Sequence, residues 1–287
     1  MREGQHPYGV IRDAVRLGVK RAIVGVSGGI DSVATLDLCV RHGIEVRAYF
    51  MFIVPGLSFQ ESYLQYLERR FKIAIKRTPH WMLARLLSHG VLRHRTNQTA
   101  ALRQCRPAHF LAWIRQQFET QWVATGEKAA DSLERNTQLV RDGAIQSTRN
   151  RFYPLAWWST ADVQSHLARN QIALPPDYRL NASLPESLRT SRGSSFGGIL
   201  NMREILPIAE NYPEDYARIR KMFPLVDVQL YRWRQLNARN LVSEGKAKSE
   251  VCRRVNAKRR TTTTEPTATA TPPTTTDASD GQEAAQE

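Results

Sequence analysis

The chain has 287 residues, a formal net charge of +14, three cysteines and 41% hydrophobic residues, enough for one large domain with its own core plus an extension. No apolar run approaches the length of a bilayer span, Met1 to His6 does not resemble a signal peptide, and Cys39, Cys105 and Cys252 are too few and too scattered for a disulfide framework. A soluble, cytoplasmic protein with no membrane partner is therefore expected, and because residues 261–287 carry five acids and no Lys or Arg, the preceding 260 residues stand at +19, an excess that favours anionic partners (nucleotides, sulfated or phosphorylated small molecules, or a nucleic-acid backbone) and equally fits a high-GC coding bias.

Residues 8–19 set Val10, Ile11, Val15 and Leu17 among Arg12, Asp13 and Arg16, the pattern of an amphipathic helix. The apolar run Ala22–Val26 then breaks at Ser27-Gly28-Gly29 and resumes at helical spacing with Val33, Leu36, Leu38 and Val40, which reads as strand, tight turn and helix. Two glycines let the backbone approach a ligand and take positive φ. The first amides of the following helix lack intrahelical partners and lie at the positive end of its dipole, so they suit a phosphate. Ser27 and Ser32 add hydroxyls, and Asp31 sits in the first helical turn. An ordinary strand-to-helix turn would explain two glycines, but the whole string Ser-Gly-Gly-x-Asp-Ser after a hydrophobic strand is narrower and favours a nucleotide loop. It is not the ordinary P-loop, since no Gly-Lys-Ser or Gly-Lys-Thr follows.

Glu45–Ile53 reads as a second strand stopped by Pro55-Gly56, and Ser58-Phe59-Gln60-Glu61 as a capping-box start to a helix ending near Arg70, with Tyr63, Tyr66 and Leu67 inward. Lys72–Lys76 reads as a short third strand. This order implies an α/β fold with a doubly wound, mainly parallel sheet, whose ligand crevice lies at the strands' carboxyl ends, where Ser27 to Ser32 sits. Helical patterns follow over 80–92 and 98–118, then a strand over 121–125 that runs into Gly126. Trp81, Phe110, Trp113 and Phe118 recur at helical spacing and read as core. A charged helix begins near Ala129, a capped one at Ser159-Thr160-Ala161-Asp162 with Trp157 and Trp158 packing it, and two or three more occupy 200–241. Cys39 is helical core by spacing; Cys105 lies among Arg103 and Arg106, whose charge would favour a thiolate, although an inert, partly buried thiol is the favoured reading. The segment 245–260 holds seven Lys and Arg and reads either as a nucleic-acid contact or as a solvated helix, and the Thr-, Ala- and Pro-rich stretch 261–287 as a disordered tail. The organisation expected is an α/β domain over 1–180, a helical extension over 181–244, the basic segment and the tail.

Ser27 to Ser32 resembles the PP-loop of the ATP pyrophosphatase superfamily. Phe59-Gln60-Glu61-Ser62, Gly126-Glu127-Lys128-Ala129-Ala130-Asp131-Ser132-Leu133-Glu134-Arg135 and Tyr153-Pro154-Leu155-Ala156-Trp157-Trp158-Ser159-Thr160-Ala161-Asp162-Val163 resemble, in order, three motifs of the phosphoadenosine phosphosulfate reductase family. The resemblance implies that Ser27, Gly28, Gly29, Asp31 and Ser32 hold ATP or phosphoadenosine phosphosulfate, with Asp31 fixing the loop or helping to place Mg2+. Gly126 allows close backbone approach, while Lys128 and Arg135 can neutralise phosphate or sulfate, unless they form only a solvated helix start. Lys128 stands where the family has arginine, a point charge in place of a fork. Asp31, Lys128 and Cys105 are the candidate catalytic groups.

Departures narrow the chemistry. Val54-Pro55-Gly56 lacks the carboxylate of the family's Asp-Thr-Gly, the reductases' Glu-Cys-Gly-Leu-His tail is absent with Ser249–Arg253 a distant echo, and Ser and Gly occupy 193–198 where several relatives carry Cys-x-x-Cys. Three cysteines cannot supply the four thiolates of an iron–sulfur cluster, so none is expected. The expectation is adenylyl transfer or sulfur-transfer chemistry, with a thiol-dependent phosphoadenosine phosphosulfate reductase or a nucleotide-sensing or nucleic-acid-binding partner protein as alternatives. The acceptor and the oligomeric state are not legible at this level.

Overall fold

A computed structural model of the chain describes residues 8–176 and 202–236. The expectations for 193–198, Cys252, the basic segment and the tail lie outside the described residues. Two compact units divide at Trp233/Arg234, and the first of them holds the sheet.

Six strands, β1 (Arg21–Gly25), β2 (Glu45–Phe52), β3 (Ile75–Pro79), β4 (Val123–Ala124), β5 (Ile145–Gln146) and β6 (Arg151–Phe152), form one sheet in the order β3-β2-β1-β4-β6-β5. Every pairing is parallel except β5 with β6, so the fold is the doubly wound α/β arrangement expected. Strand order reverses at β1, which has β2 on one side and β4 on the other. A crevice opens at the carboxyl ends of the strands where such a reversal occurs.

Helices α1 (Gly9–Arg16), α2 (Ile30–Arg41), α3 (Ser58–Phe71), α4 (Leu83–Ser88), α5 (Asn97–Ala100), α6 (Pro107–Phe118), α7 (Leu133–Asp142) and α8 (Thr160–Arg169) accompany the sheet, followed by α9 (Met202–Asn211), α10 (Pro213–Met222) and a helical stretch from residue 226. Alternation along β1 sorts its side chains. Ala22 and Val24 enter the main core with Val33 and Leu36 of α2, Leu64 and Leu67 of α3 and Val163 of α8, whereas Ile23 joins Val123, Phe110 and Ile114 under α6. Helix α2 is buried on nearly every side, which explains how Asp37 comes to be 2% exposed; it is satisfied by His166 Nε2 of α8 at 2.8 Å and by Arg41 Nε at 2.7 Å.

Several boundaries differ from the sequence reading. The third strand runs three residues later than Lys72–Lys76, because Lys72 adopts left-handed φ 52° as the C-cap of α3 and ends that helix. Pro107 splits the 98–118 pattern into α5 and α6, since proline is tolerated only in a helix's first turn. The first helix buries Ile11 and Ala14, not Val15 or Leu17, and Trp113 is exposed beside Lys76. The helix expected near Ala129 begins with a 3-10 turn, Ala129–Asp131, before α7 starts behind Ser132. The short β5–β6 hairpin, with only two residues per strand, carries no periodicity to read.

The start of α3 is the most instructive departure. No capping box forms; the N-cap is Leu57, with no side-chain cap of its own. Instead Asp215 of α10, fully buried, accepts the Ser58 amide at 2.8 and 2.9 Å and the Ser58 hydroxyl at 2.7 Å, while Arg218 Nη1 donates to it at 2.6 Å and to the Gly56 carbonyl oxygen at 2.9 Å. A carboxylate at a helix N-terminus satisfies free amides and complements the dipole. Around this contact Ile53, Val54, Leu57 and Phe59 pack with Ile205, Ile208, Ile219 and Phe223 into a second core. Asp215→Ala removes the shared acceptor of three donors, but Ser58 is exposed and the Arg218 side chain half exposed, so water takes over part of the loss and chemical denaturation should show about 1–3 kcal/mol. A loss under about 0.5 kcal/mol would mean that water replaces the carboxylate freely.

Candidate functional site

The loop between β1 and α2 is braced from within. Gly28 takes φ 80°, a conformation that side chains resist, and Gly29 is the extended N-cap of α2. Ser32 Oγ donates to the Gly29 carbonyl oxygen at 2.8 Å, Ser27 Oγ donates to Ser32 Oγ at 3.2 Å, and the Gly29 amide donates to Ser27 Oγ at 3.4 Å. Both serines thus shape the turn that leads into the first turn of α2.

Gly126 follows β4 and touches the same helix start. A Cβ there would lie 2.9 Å from the Asp31 carbonyl oxygen and 3.0 Å from Thr35 Oγ1, which itself donates to that oxygen at 2.8 Å. Only a residue without a side chain fits that approach.

Lys128, 2% exposed, reaches from beyond Gly126 to the first turn of α2. Its Nζ stands 2.7 Å from Asp31 Oδ1 and 2.9 Å from Asp131 Oδ1, and Asp131 Oδ2 accepts the Lys128 amide at 2.8 Å. The Asp31 contact is an ion pair without regular hydrogen-bond angles, for that oxygen is buried with no hydrogen bond of its own. Burial works to lower the ammonium's pKa, but the two carboxylates outweigh it and hold the group above the ordinary lysine range. Lys128 therefore cross-links the loop helix to the β4–α7 connection. Arg135, on α7, pairs with Glu127.

A cleft of about 230 Å³ opens at the carboxyl ends of β1, β2 and β4, lined by Gly25, Val26, Ser27, Tyr49, Phe50, Met51, His80, Val123, Ala124, Thr125 and Gly126. Ser27 and Gly126 thus share one wall, as their sequence positions imply. Tyr49 reaches across the neighbouring strand, where a Cβ on Gly25 would meet its hydroxyl at 2.9 Å. His80 follows β3, stacks on Trp81 with centroids 5.4 Å apart, and accepts the Met82 amide through Nδ1 at 3.1 Å; burial keeps its pKa below the ordinary histidine range. Cys105 packs with Tyr49 and Met51 against the Ile23 and Phe110 cluster without lining the cleft itself. Cys39 is fully buried and its thiol is pushed far upward. Tyr49, Met51, His80 and Thr125 escaped the sequence reading; only their positions at the carboxyl ends of strands could have flagged them.

Residues 21–181 match the phosphoadenosine phosphosulfate reductase domain. The chain belongs to the phosphoadenosine phosphosulfate reductase family. Membership makes it part of an enzyme family that binds nucleotide substrates. Similar solved structures include phosphoadenylyl-sulfate (PAPS) reductase from Candida auris, at 12% identity over 62% of this chain and 86% of that one with a TM-score of 0.42. NH3-dependent NAD synthetase from Campylobacter jejuni is 14% identical over 78% and 89%, TM-score 0.39, and the U34-tRNA thiolase from Methanococcus maripaludis 13% identical over 73% of each chain, TM-score 0.36. No curated protein matches the chain. Among the described residues of this phosphoadenosine phosphosulfate reductase family member, no helix is long and apolar enough to cross a membrane, and no group of three or more His, Cys, Asp or Glu side chains could hold a metal ion.

Proposed function

We propose that the protein binds ATP or an adenylyl sulfate at the Ser27–Ser32 loop and carries out adenylyl transfer or sulfur-transfer chemistry. The observation that carries this reading is the joint placement of loop and cleft: Ser27 and Gly126 border an apolar-walled space at the strand-order reversal, beside the amides that begin α2. The cleft suits the nucleoside, and the loop amides suit its phosphates. Lys128 holds Asp31 in place, so its first role is to fix the loop; Asp31, 37% exposed at its side chain, remains open to a magnesium ion brought with the nucleotide. In adenylyl transfer an acceptor oxygen attacks the α-phosphorus and pyrophosphate leaves, and the donors at the loop stabilise the departing charge.

Calorimetry with ATP and with adenosine 5′-phosphosulfate tests the reading. Wild type should bind at least one of them, and Gly28→Arg, which cannot take φ 80° without strain and fills the phosphate position, should weaken binding by at least about a hundredfold. Equal binding by both proteins, or none by wild type, overturns it. Mass analysis of products formed with sulfate or nucleic acid present would identify the acceptor.

The thiol-dependent reductase reading draws support from Cys105, which packs against the same Ile23 and Phe110 cluster as Tyr49 and Met51 of the cleft wall. Thioredoxin-dependent sulfite release that vanishes in Cys105→Ser would select it. The nucleic-acid reading rests on the charge of residues 245–260.

A further inference from the structure

From the end of α3 to the end of α6 the chain is one-sided in charge. All 27 Asp and Glu residues lie outside residues 69–118, while that span holds eleven Lys and Arg. A coding bias can enrich arginine, but it does not clear carboxylates from one span. Several of these cations are engaged: Arg77 pairs with Glu61 and Glu68, Lys76 donates to Gln117, and Arg93 donates to the Met222 carbonyl oxygen at 3.2 Å. Arg85, Arg95, Arg103 and Arg106 are exposed, and none of them forms an ion pair with a carboxylate among the described residues.

These four arginines belong to one excursion of the chain. Trp81, next to His80 of the cleft, and Cys105 both pack against the Ile23 and Phe110 cluster, so the segment between them leaves and rejoins the body beside the cleft. Its inner side is fixed. Leu83, Leu86 and Leu87 of α4 enter the second core, and the Leu92 carbonyl oxygen accepts the Leu225 amide at 2.8 Å. Its outer side is bare, for every residue from His94 to Gln104 except Thr99 is exposed, and the single large apolar side chain in that run is Leu102. Neutral hydrogen-bonding groups, those of Asn97, Gln98 and Gln104 among them, stand between the arginines.

That composition selects a partner. A protein would call for an apolar or aromatic centre with charge at its rim, and a lipid surface for side chains that insert. Unpaired arginines interleaved with neutral hydrogen-bonding groups suit a row of phosphates, where each guanidinium meets two oxygens at once. Four cations without counter-charges on one segment repel one another, and a polyanion removes that cost.

We propose that residues 85–106 form a contact surface for the sugar–phosphate backbone of a nucleic acid, beside the cleft. The surface is separate from residues 245–260 and does not depend on what the cleft holds.

Fluorescence anisotropy on the full chain with a labelled mixed-sequence oligonucleotide, single-stranded and duplex, tests it. Wild type should bind with little sequence preference and an affinity that falls steeply as salt rises. A fourfold variant, Arg85→Gln, Arg95→Gln, Arg103→Gln and Arg106→Gln, should weaken binding at least about tenfold at about 100 mM salt and reduce the slope of log affinity against log salt by about 3. All four side chains are exposed, so its melting temperature should not move. Lysine at the same positions keeps the charge and should keep most of the affinity. Glutamine in place of the four arginines of residues 245–260 removes equal charge and should weaken binding less. The proposal is overturned if the fourfold variant binds as wild type does, if the substitutions in 245–260 have the larger effect, or if wild type binds no oligonucleotide. Equal or tighter binding of polyglutamate also overturns it, in favour of an acidic protein, as does equal or tighter binding of phosphatidylserine vesicles, in favour of a membrane. ATP titrated separately by calorimetry reads the cleft, so failure at either place is distinguishable from failure at the other.

Discussion

Replacing Gly126 by valine should abolish measurable nucleotide binding and lower stability together. The Cβ alone would stand 2.9 Å from the Asp31 carbonyl oxygen and 3.0 Å from its carbonyl carbon, both backbone atoms that cannot swing aside. The start of α2 must then move away from β4, and overpacking of this kind costs about 1–3 kcal/mol. The same movement displaces the amides at the start of α2 that we propose hold the phosphates, and a shift of a few tenths of an ångström already lengthens several hydrogen bonds at once. We expect an affinity loss of at least about a hundredfold for ATP or adenosine 5′-phosphosulfate, whichever wild type binds, with a melting temperature a few degrees lower. Gly126→Ala should fall between the two. A valine variant that binds and melts as wild type would mean that strand and helix are not in such close contact.

Lys128→Met should destabilise the fold by about 2–3 kcal/mol, read as a drop of about 5–10 °C in melting temperature. Methionine preserves the volume of the 2% exposed side chain but leaves Asp31 and Asp131 facing one another without the ammonium that joins them. The figure sits below that of a fully buried pair because both carboxylates are more than a third exposed and water screens part of their repulsion. Lysine's charged form is favoured by folding, so its contribution is complete below the ordinary lysine pKa near 10.5 and is lost as pH rises through the higher folded value. The difference between the two proteins should accordingly be constant through neutral pH and shrink only in strong alkali. An unchanged melting temperature in Lys128→Met would show that the cross-link adds no stability.

The parts of the fold that were legible are those in which one segment suffices to state its own role. Ser27-Gly28-Gly29 announces a turn with positive φ, and the structure puts Gly28 at φ 80°. Ser159 and Asp162 form a complete capping box within four residues of sequence, and both of its hydrogen bonds are made. The same kind of pattern misled at Ser58, because its amide is claimed by Asp215, 157 residues away. No local rule could pair them, nor Asp37 with His166, 129 residues apart. In the candidate site the loop and Gly126 stood out as motifs, whereas Tyr49 and Met51 belong by register alone, and register depends on how strands pair. Lys128 was noticed for its charge; that the charge is directed at Asp31 and Asp131 follows from a crossing of chain segments that a motif does not encode.

The distant cap on α3 also bears on how the protein is made. Residues 21–181, which match the family, include α3 but not Asp215 or the apolar side chains of α9 and α10 that complete its core. As the chain leaves the ribosome amino end first, at about 5–20 residues per second, Ser58 waits about 8–30 s for the carboxylate that closes its helix. For most of that interval Ile53, Val54, Leu57 and Phe59 have Leu86 of α4 but lack the side chains of α9 and α10 that complete their core. The nascent chain thus carries a sticky apolar surface beside an already paired sheet, a natural stop for a holding chaperone, and a gene fragment cut at the end of the family match would leave its product permanently in that state.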